Sequence, residues 1–383
     1  KQKTAYEIST RDWSSDVCSS DLMSLSTTLG RRRSWFDESP EHAAQVLLDS
    51  PILGEDEAMA LRSIPGFPCV VLPVLFPVAG GPAAMDAALE CLVQDVEQAV
   101  DGGAVIVVLT DRGITATEAA IPMLAAVGAV HHHLIRAGKR LRCSLVCESG
   151  EARDVHHFAC LVGYGASAVL PHVAMASIRA GVEAGTFPGV TVAMAESNYR
   201  KTVEAGLLKV LSKMGISTLA SYLGAQVFEA IGLGRELVDR CFHGTTSHVG
   251  GIGLDHVALD VQRRHQLAFA VPVAPVLDVG GHYRVAKGGK GEYHAYNAQV
   301  VGTLHRFLKS GSRDEFLRFM ETVERREPVS PRDLLRFKAT AQPVPLDDVE
   351  PVADIRRRFT TAGMSLGALS PEAHECPAVA MNS

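Results

Sequence analysis

Two carboxylates near the end of a predicted strand are the first candidates for chemistry. Glu148 and Glu151 follow an apolar run that ends at Cys147. Barrel enzymes place catalytic side chains at the carboxyl ends of their strands, where two carboxyl groups can serve as acid and base. The same residues can instead cap and salt-bridge a helix beginning near Ser149, with Glu151 close to its positive end. We favour this second interpretation.

Histidines form two runs, His131 to His133 and His156 to His157. Imidazole is a common metal ligand, but the ligands of one ion must converge on it. Consecutive residues of a helix point about 100° apart, so adjacent histidines cannot all reach one metal. The spacing favours structural or surface roles, and we assign no metal ligand.

Two glycine clusters have the composition of phosphate-binding loops. The first, Gly163-Tyr164-Gly165, precedes a predicted strand, whereas a dinucleotide fingerprint follows one. The second, Gly250 to Gly253, lies just before a predicted helix, and an anion site there is an alternative. Close backbone packing is the commoner reason for such glycines, and we favour it.

Apolar runs and helical periods alternate through the first half of the chain. Strands are predicted at 68–74, 104–110, 143–147 and 166–170, with helices at 85–100, 115–137 and 151–162. This alternation predicts βαβ units and a parallel sheet.

The second half is richer in helical periods. Helices are predicted at 173–184, 197–213, 224–231, 236–241, 255–266, 295–310, 313–326 and 330–337. Ser197 is the predicted N-cap of the second of these, and Gly215 closes it. The fold class is therefore α/β, an irregular (β/α)-barrel-like domain followed by helices and a proline-punctuated linker.

Composition excludes several classes of protein. The chain has 383 residues, 47% of them hydrophobic, which is enough for a full core. A net charge of −6 argues against nucleic-acid binding. No apolar run approaches the roughly 20 residues of a membrane helix. The eight cysteines include no Cys-x-x-Cys pair and are typical of a reduced, cytoplasmic protein.

Three segments resemble one family, the large subunits of glutamate synthases. They are 200–218, which contains Lys213-Met214-Gly215-Ile216-Ser217; 131–136; and 363–375, which contains Met364-Ser365-Leu366-Gly367-Ala368. The resemblance runs from about Ser50 to the last residues. It implies a barrel-like central domain at 23–345 (core about 50–310), then at 346–383 a linker and the first strand of a truncated flavin barrel. Residues 1–22 resemble a translated sequencing-adapter tail.

The resemblance also implies an activity. Glutamate synthases transfer glutamine-derived ammonia to 2-oxoglutarate and reduce the product to glutamate, using FMN and an iron–sulfur cluster. The amidotransferase domain and most of the FMN domain are expected outside this sequence, as are the cluster's cysteines. The expected partners are those domains, 2-oxoglutarate, and a small subunit or ferredoxin, with no nucleic acid and no membrane. The electron donor is left open.

The site residues come from the same resemblance. Met214, with Lys213 and Ser217, is expected to line the 2-oxoglutarate site, together with Glu372. The residues expected at FMN are Met364, Ser365, Gly367 and Ala368. No residue here is a convincing nucleophile or base, so this part alone is expected to be inactive.

Two departures from the family pattern stand out. Leu223 follows Ser221-Tyr222 where the family often has arginine, and Pro377 is expected to disrupt a helix. The alternative hypothesis is a stand-alone, non-catalytic α/β module that binds an anion at Gly250 to Gly253. The neighbouring genomic sequence distinguishes the two.

Overall fold

A computed structural model describes residues 23–34, 36–270, 281, 285, 291–338 and 343–382. The chain divides into two compact units, Lys1–Val271 and Pro272–Ser383. The adapter-like segment 1–22 lies outside the described residues. The predicted domain boundary near 345 stays a prediction.

The first unit contains every strand of the described residues. In chain order they are β1 Thr27–Leu29, β2 Val46–Leu48, β3 Cys69–Pro73, β4 Leu75–Pro77, β5 Ile106–Thr110, β6 Glu118–Ala120, β7 Ser144–Glu148, β8 Ala166–Leu170, β9 Glu229–Leu233 and β10 Thr246–Ile252.

Nine helices accompany these strands in the described part of the first unit. They are α1 Glu55–Leu61, α2 Gly81–Asp101, α3 Met123–Arg136, α4 Val155–Gly163, α5 His172–Glu183, α6 Val192–Met214, α7 Leu219–Tyr222, α8 Arg235–Cys241 and α9 Leu254–Ala268.

The core of the unit is a four-stranded parallel sheet in the order β3-β5-β7-β8. Every residue of β5, β7 and β8 is buried, as expected for strands covered on both faces. Alternate residues point to opposite faces. Val107, Leu109 and Leu145 pack with α2, α3, α4 and α6, whereas Ile106 and Val146 pack with β1 and α1. The predicted α/β class with a parallel sheet is confirmed.

A closed barrel is not formed by the described residues. The sheet ends at β3 on one side, and beyond β8 a single bridge joins Ile52 to Val169. β9 and β10 instead form a separate parallel pair. All seven residues of β10 are exposed.

Several local predictions were wrong. The helix predicted at 224–231 is loop and the first residues of β9, a strand whose Ala-Ile-Gly-Leu stretch gives no helical stripe. α6 begins at Val192 with Thr191 as its N-cap, because the preceding Ala-Met-Ala-Glu residues extend the helix past Ser197. Gly215 does close it, at φ 69.

The described part of the second unit is helical. Its α-helices are α10 Ala298–Ser310, α11 Arg313–Glu324, α12 Val352–Arg356 and α13 Pro371–Asn382. The helix predicted at 330–337 is reduced to a 3-10 turn, Pro331–Leu334. The first strand and loop of a flavin barrel are expected at 364–368, and the described residues contain no strand there. Leu366–Ala368 is a 3-10 turn, since a strand needs a partner for its backbone groups.

Pro377 lies inside α13 without ending it, contrary to the prediction. The helix is exposed along nearly its whole length. Water can therefore satisfy the carbonyl group that proline leaves without a donor.

The described cysteines divide by exposure. Cys143, Cys147, Cys160 and Cys241 are buried, whereas Cys91 on α2 and Cys376 on α13 are exposed. Burial raises the pKa of Cys160 to about 11 and that of Cys241 to about 12. These buried thiols are protonated and unreactive at neutral pH.

No helix in the described residues has the length and apolar character needed to cross a bilayer.

Candidate functional site

Three polar side chains, Asp111, Glu148 and His172, form a cluster at the carboxyl edge of the sheet. Asp111 directly follows β5, Glu148 ends β7, and His172 follows β8 by two residues. His172 Nε2 lies 2.6 Å from Asp111 Oδ1, and Asp111 Oδ2 accepts a hydrogen bond from the backbone N–H of Gly150 at 2.7 Å. Parallel strands bring these residues together because their ends share one edge.

Glu148 is the most deeply buried member, with a side chain only 1% exposed. Its carboxylate is paired with Arg62, and its Oε2 lies 3.6 Å from Arg112 Nε. Arg112 also contacts Glu55 at 2.7 Å. A carboxylate enclosed in this way stabilises the edge and is not open to a substrate, so the salt-bridging interpretation of Glu148 is confirmed.

Glu151 caps a helix, but not the expected one. Its Oε2 accepts a hydrogen bond of 2.9 Å from the backbone N–H of Met123, the first residue of α3. The next helix, α4, begins at Val155 and is capped by Asp154, which accepts from His156 N at 3.0 Å. Glu151 thus joins two neighbouring βα loops.

The histidines of α3 share no common partner: His131 bonds Arg140, His133 bonds Glu97, and His132 Nε2 has no hydrogen-bond partner among the described residues. His131 and His132 are buried, and desolvation lowers the pKa of His131 to about 3 and that of His132 to about 4. His133 Nε2 lies 2.6 Å from Glu97 Oε2. Within the described residues, no three His, Cys, Asp or Glu side chains are grouped to hold a metal.

Three of the four residues expected at the 2-oxoglutarate site lie on one surface loop. Lys213 and Met214 end α6, and Ser217 follows the left-handed Gly215. Lys213 and Ser217 are exposed, and Met214 is 48% exposed. The carbonyl of Ser217 accepts from Ser24 N at 2.9 Å.

This loop lies on the amino-terminal side of the sheet, away from Asp111 and Glu148. Leu223, a few residues further on, lines a cavity with Ser144 at the start of β7 and Ser167 in β8. The structure therefore does not bring the loop and the polar cluster together.

The residues expected at FMN belong to the second unit and form a compact turn. Ser365 Oγ accepts from Gly367 N at 3.2 Å, and Ala368 N donates to Ser365 O at 3.0 Å. His374 Nε2 lies 3.2 Å from the carbonyl oxygen of Met364. The turn is thereby tied to α13.

Glu372 lies in the first turn of α13. A hydrogen bond from the side chain of Ser370 lowers the pKa of its carboxyl group. Glu372 is therefore a carboxylate at neutral pH, placed at the positive end of a helix.

Within the glycines at 250–253, Gly251 serves close packing. A Cβ atom added to Gly251 would lie 2.2 Å from the carbonyl oxygen of Gly232 in the paired strand β9. Asp255 stands in the first turn of α9, where its negative charge opposes an anion. These contacts favour the packing interpretation over the anion site.

Sequence reasoning missed Asp111 and His172, a close polar pair at the sheet edge. A signal was present, because each follows the last residue of a predicted strand by one or two positions. The sequence did not indicate, however, that these two residues, 61 positions apart, contact each other.

Comparison with known proteins gives two family matches. The glutamate synthase central domain matches residues 18–234, and a conserved region in glutamate synthase matches residues 294–383.

Individual relatives of the chain are also glutamate synthases. The chain is 42% identical to the glutamate synthase [NADPH] large chain of Azospirillum brasilense, over 94% of this chain and 24% of the relative. It is 40% identical to the chloroplastic ferredoxin-dependent glutamate synthase 2 of Arabidopsis thaliana, over 94% of this chain and 23% of the relative. The chain thus spans about a quarter of the length of these relatives.

Among solved structures, a flavocytochrome b2 variant with bound sulfite matches at 16% identity. It covers 57% of this chain and 51% of that chain at a TM-score of 0.27, which is too low to compare folds. The family matches are decisive by contrast, since the first covers more than half of the chain. The chain belongs to the glutamate synthase central-domain family.

Proposed function

We propose that this chain is a part of a glutamate synthase, which reductively aminates 2-oxoglutarate with ammonia released from glutamine. Within that enzyme it scaffolds the ammonia passage and contributes the loop Lys213–Ser217 to the 2-oxoglutarate site. The family matches support the parent activity.

The loop itself carries the proposal for this part. Met214 exposes nearly half of its side chain at the end of a long helix, and it is anchored by the left-handed Gly215 and the bond from Ser24 to Ser217. A flexible thioether held on an anchored backbone suits contact with a neighbouring domain. Lys213 adds a cation suited to a carboxylate substrate.

A passage is physically required by the chemistry. Ammonia released into water is protonated and diluted, so its transfer between two sites needs enclosure. The buried sheet with helices on one face and α1 on the other supplies a rigid wall for such a path.

The described residues do not form a flavin site by themselves. A Cβ at Gly367 would meet only Ser365 Oγ at 3.5 Å, an ordinary contact, so no tight cradle is closed around this glycine. We therefore propose that Met364, Ser365, Gly367 and Ala368 supply one edge of an FMN site and that Glu372 lies near the 2-oxoglutarate site. The rest of both sites would come from further sequence.

The iron–sulfur cluster and the electron donor also belong to the parent enzyme in this proposal. No three cysteines are grouped in the described residues, so an iron–sulfur cluster would be held elsewhere in the parent enzyme. Either a small subunit or ferredoxin would supply electrons, as the names of the two relatives allow. The cytoplasmic location stays a prediction, because one of these relatives is chloroplastic.

A chimera tests the proposal. Residues 23–383 replace the matching quarter of the Azospirillum brasilense large chain, and glutamate formation is assayed with its small subunit. We expect glutamine-dependent activity from the chimera and none from residues 23–383 alone. A folded chimera without activity, or turnover by the isolated part, contradicts it.

Isotope labelling tests the passage. With [15N-amide]glutamine and unlabelled ammonium in solution, an enclosed path gives glutamate labelled almost completely from glutamine. Dilution of the label in proportion to free ammonium would show that this part does not enclose the path.

A further inference from the structure

A small cavity of about 110 Å³ lies on the amino-terminal side of the sheet, away from the polar cluster of Asp111 and Glu148. Its polar and charged lining residues are Arg32, His131, Arg140, Ser144 and Ser167. None of the lining residues that the structure describes is an aspartate or glutamate.

Among the residues that the structure describes, every acceptor bonded to the Arg140 guanidinium is neutral. Its Nε donates to His131 Nδ1 at 2.9 Å, Nη1 to the carbonyl of Cys143 at 2.8 Å, and Nη2 to the carbonyl of Gly165 at 2.8 Å. A guanidinium has five N–H donors, so two remain. No carboxylate of the described residues lies within ion-pair distance of this side chain.

His131 does not neutralise or add to this charge. Its Nδ1 accepts from Arg140, so the neutral ring carries its proton on Nε2. Burial lowers the pKa of His131 to about 3, which keeps the ring neutral at pH 7.

Arg32 brings a second positive charge to the same space. Its backbone N–H donates to the carbonyl of Leu141 at 2.7 Å, which fixes the residue beside the cavity. Its side chain is exposed and forms no ion pair with the described residues. Burial and then the charge of Arg32 lower the pKa of Arg140. Arginine nevertheless stays protonated, so two like charges face each other.

A free hydroxyl completes the donor set. Ser144 Oγ is engaged with Gly30, accepting from its N–H at 3.0 Å and lying 3.3 Å from its carbonyl. Ser167 is buried, and its hydroxyl has no partner among the described residues. Uncompensated positive charge, spare N–H groups and a free hydroxyl are the chemistry that binds an oxyanion.

We propose that this cavity is a binding site for one small oxyanion, a phosphate or a carboxylate, held by Arg140 and Arg32 with Ser167 as a further donor. Its volume accommodates a group of that size but no nucleotide. The site is separate from the loop Lys213–Ser217, and its test does not depend on the proposed enzyme activity.

The experiment is calorimetric titration of the purified 383-residue chain at pH 7.5, with chloride exchanged to hold ionic strength constant. The probes are inorganic phosphate, sulfate and succinate. We expect one saturable site for at least one probe. Preference for phosphate or for succinate distinguishes the two sources of the oxyanion.

Matched variants decide whether binding occurs in this cavity. Arg32→Gln is expected to weaken binding about tenfold or more, and Ser167→Ala about fivefold, since bonds to charged groups are the stronger ones. Arg31→Gln removes the same charge from the neighbouring exposed residue and should leave affinity within about twofold. Absence of saturable binding by all three probes, or equal effects of Arg32→Gln and Arg31→Gln, overturns the proposal.

Discussion

His172 Nε2 lies 2.6 Å from Asp111 Oδ1, joining the ends of two strands that are not adjacent in the sheet. Asp111 is 3% exposed and also accepts from Gly150 N. One carboxylate thus fixes the loop after β7 and the start of α5. The Asp111–His172 pair therefore holds the loops at the carboxyl edge of the sheet in place.

Removing the Asp111 carboxylate should lower the free energy of unfolding. Asp111→Ala leaves the His172 ring and the Gly150 N–H without an acceptor, and we expect a loss of about 2–4 kcal/mol in the free energy of unfolding. Asp111→Asn keeps one acceptor oxygen and should cost roughly half as much. Urea denaturation measures both, and a double-mutant cycle with His172→Ala should show coupling. Additive losses would contradict the interaction.

Stability should fall in acid because of two buried histidines. The folded-state pKa values of His131 and His132, about 3 and about 4, lie below the unfolded value near 6.5. Between these limits the unfolded chain binds more protons. Stability is therefore fully present above pH 6.5 and is lost as the pH falls, until each ring is protonated in the folded state. The loss approaches about 1.4 kcal/mol per pH unit for each ring.

A histidine variant separates the contribution of His132 to the pH dependence of stability from the contribution of the carboxylates. His132→Gln should flatten the slope of unfolding free energy against pH between 6 and 4.5, whatever its effect on stability at pH 7. The exposed His248→Gln is the control and should keep the original slope. Equal slopes in the two variants would contradict the assignment.

Met214 offers a kinetic prediction in the complete enzyme. Because its side chain is half-exposed in the first unit, Met214→Ala should change folding stability by less than about 0.5 kcal/mol. We expect it to raise the apparent KM for 2-oxoglutarate. Met194→Ala, an exposed methionine near the other end of α6, should not. An unchanged KM removes Met214 from the site.

Two neighbouring glycines of β10 should respond differently to alanine. At Gly251 the added Cβ would lie 2.2 Å from the carbonyl oxygen of Gly232, whereas at Gly250 nothing lies within 4 Å. We expect Gly251→Ala to lower the unfolding free energy by about 1–3 kcal/mol and Gly250→Ala to be nearly neutral. Thermal denaturation compares them, and similar melting temperatures would refute the packing role.

The central sheet was predictable because its strands are continuous apolar runs. All four predicted strands formed, and 166–170 matches β8 at both ends. β9 and β10 escaped prediction, since their glycines and exposed residues leave neither an apolar run nor a clear alternation.

The candidate site was less predictable, for a physical reason. Met214 and Ser217 came from a family resemblance, because nothing in their own chemistry marks them. The Arg32–Arg140 cavity joins residues more than 100 positions apart, which only the fold brings together. The feature that marks this cavity is an arginine with no acidic side chain near it. The sequence alone does not show which acidic side chains lie near a given arginine.

The distribution of thiols gives the molecule two natural attachment points. Cys91 and Cys376 are the exposed cysteines of the described residues, one in each compact unit. In a chain starting at Met23, maleimide dyes should couple to these two first. Energy transfer between a donor and an acceptor dye would then measure the distance between the two units in solution, without any engineered cysteine.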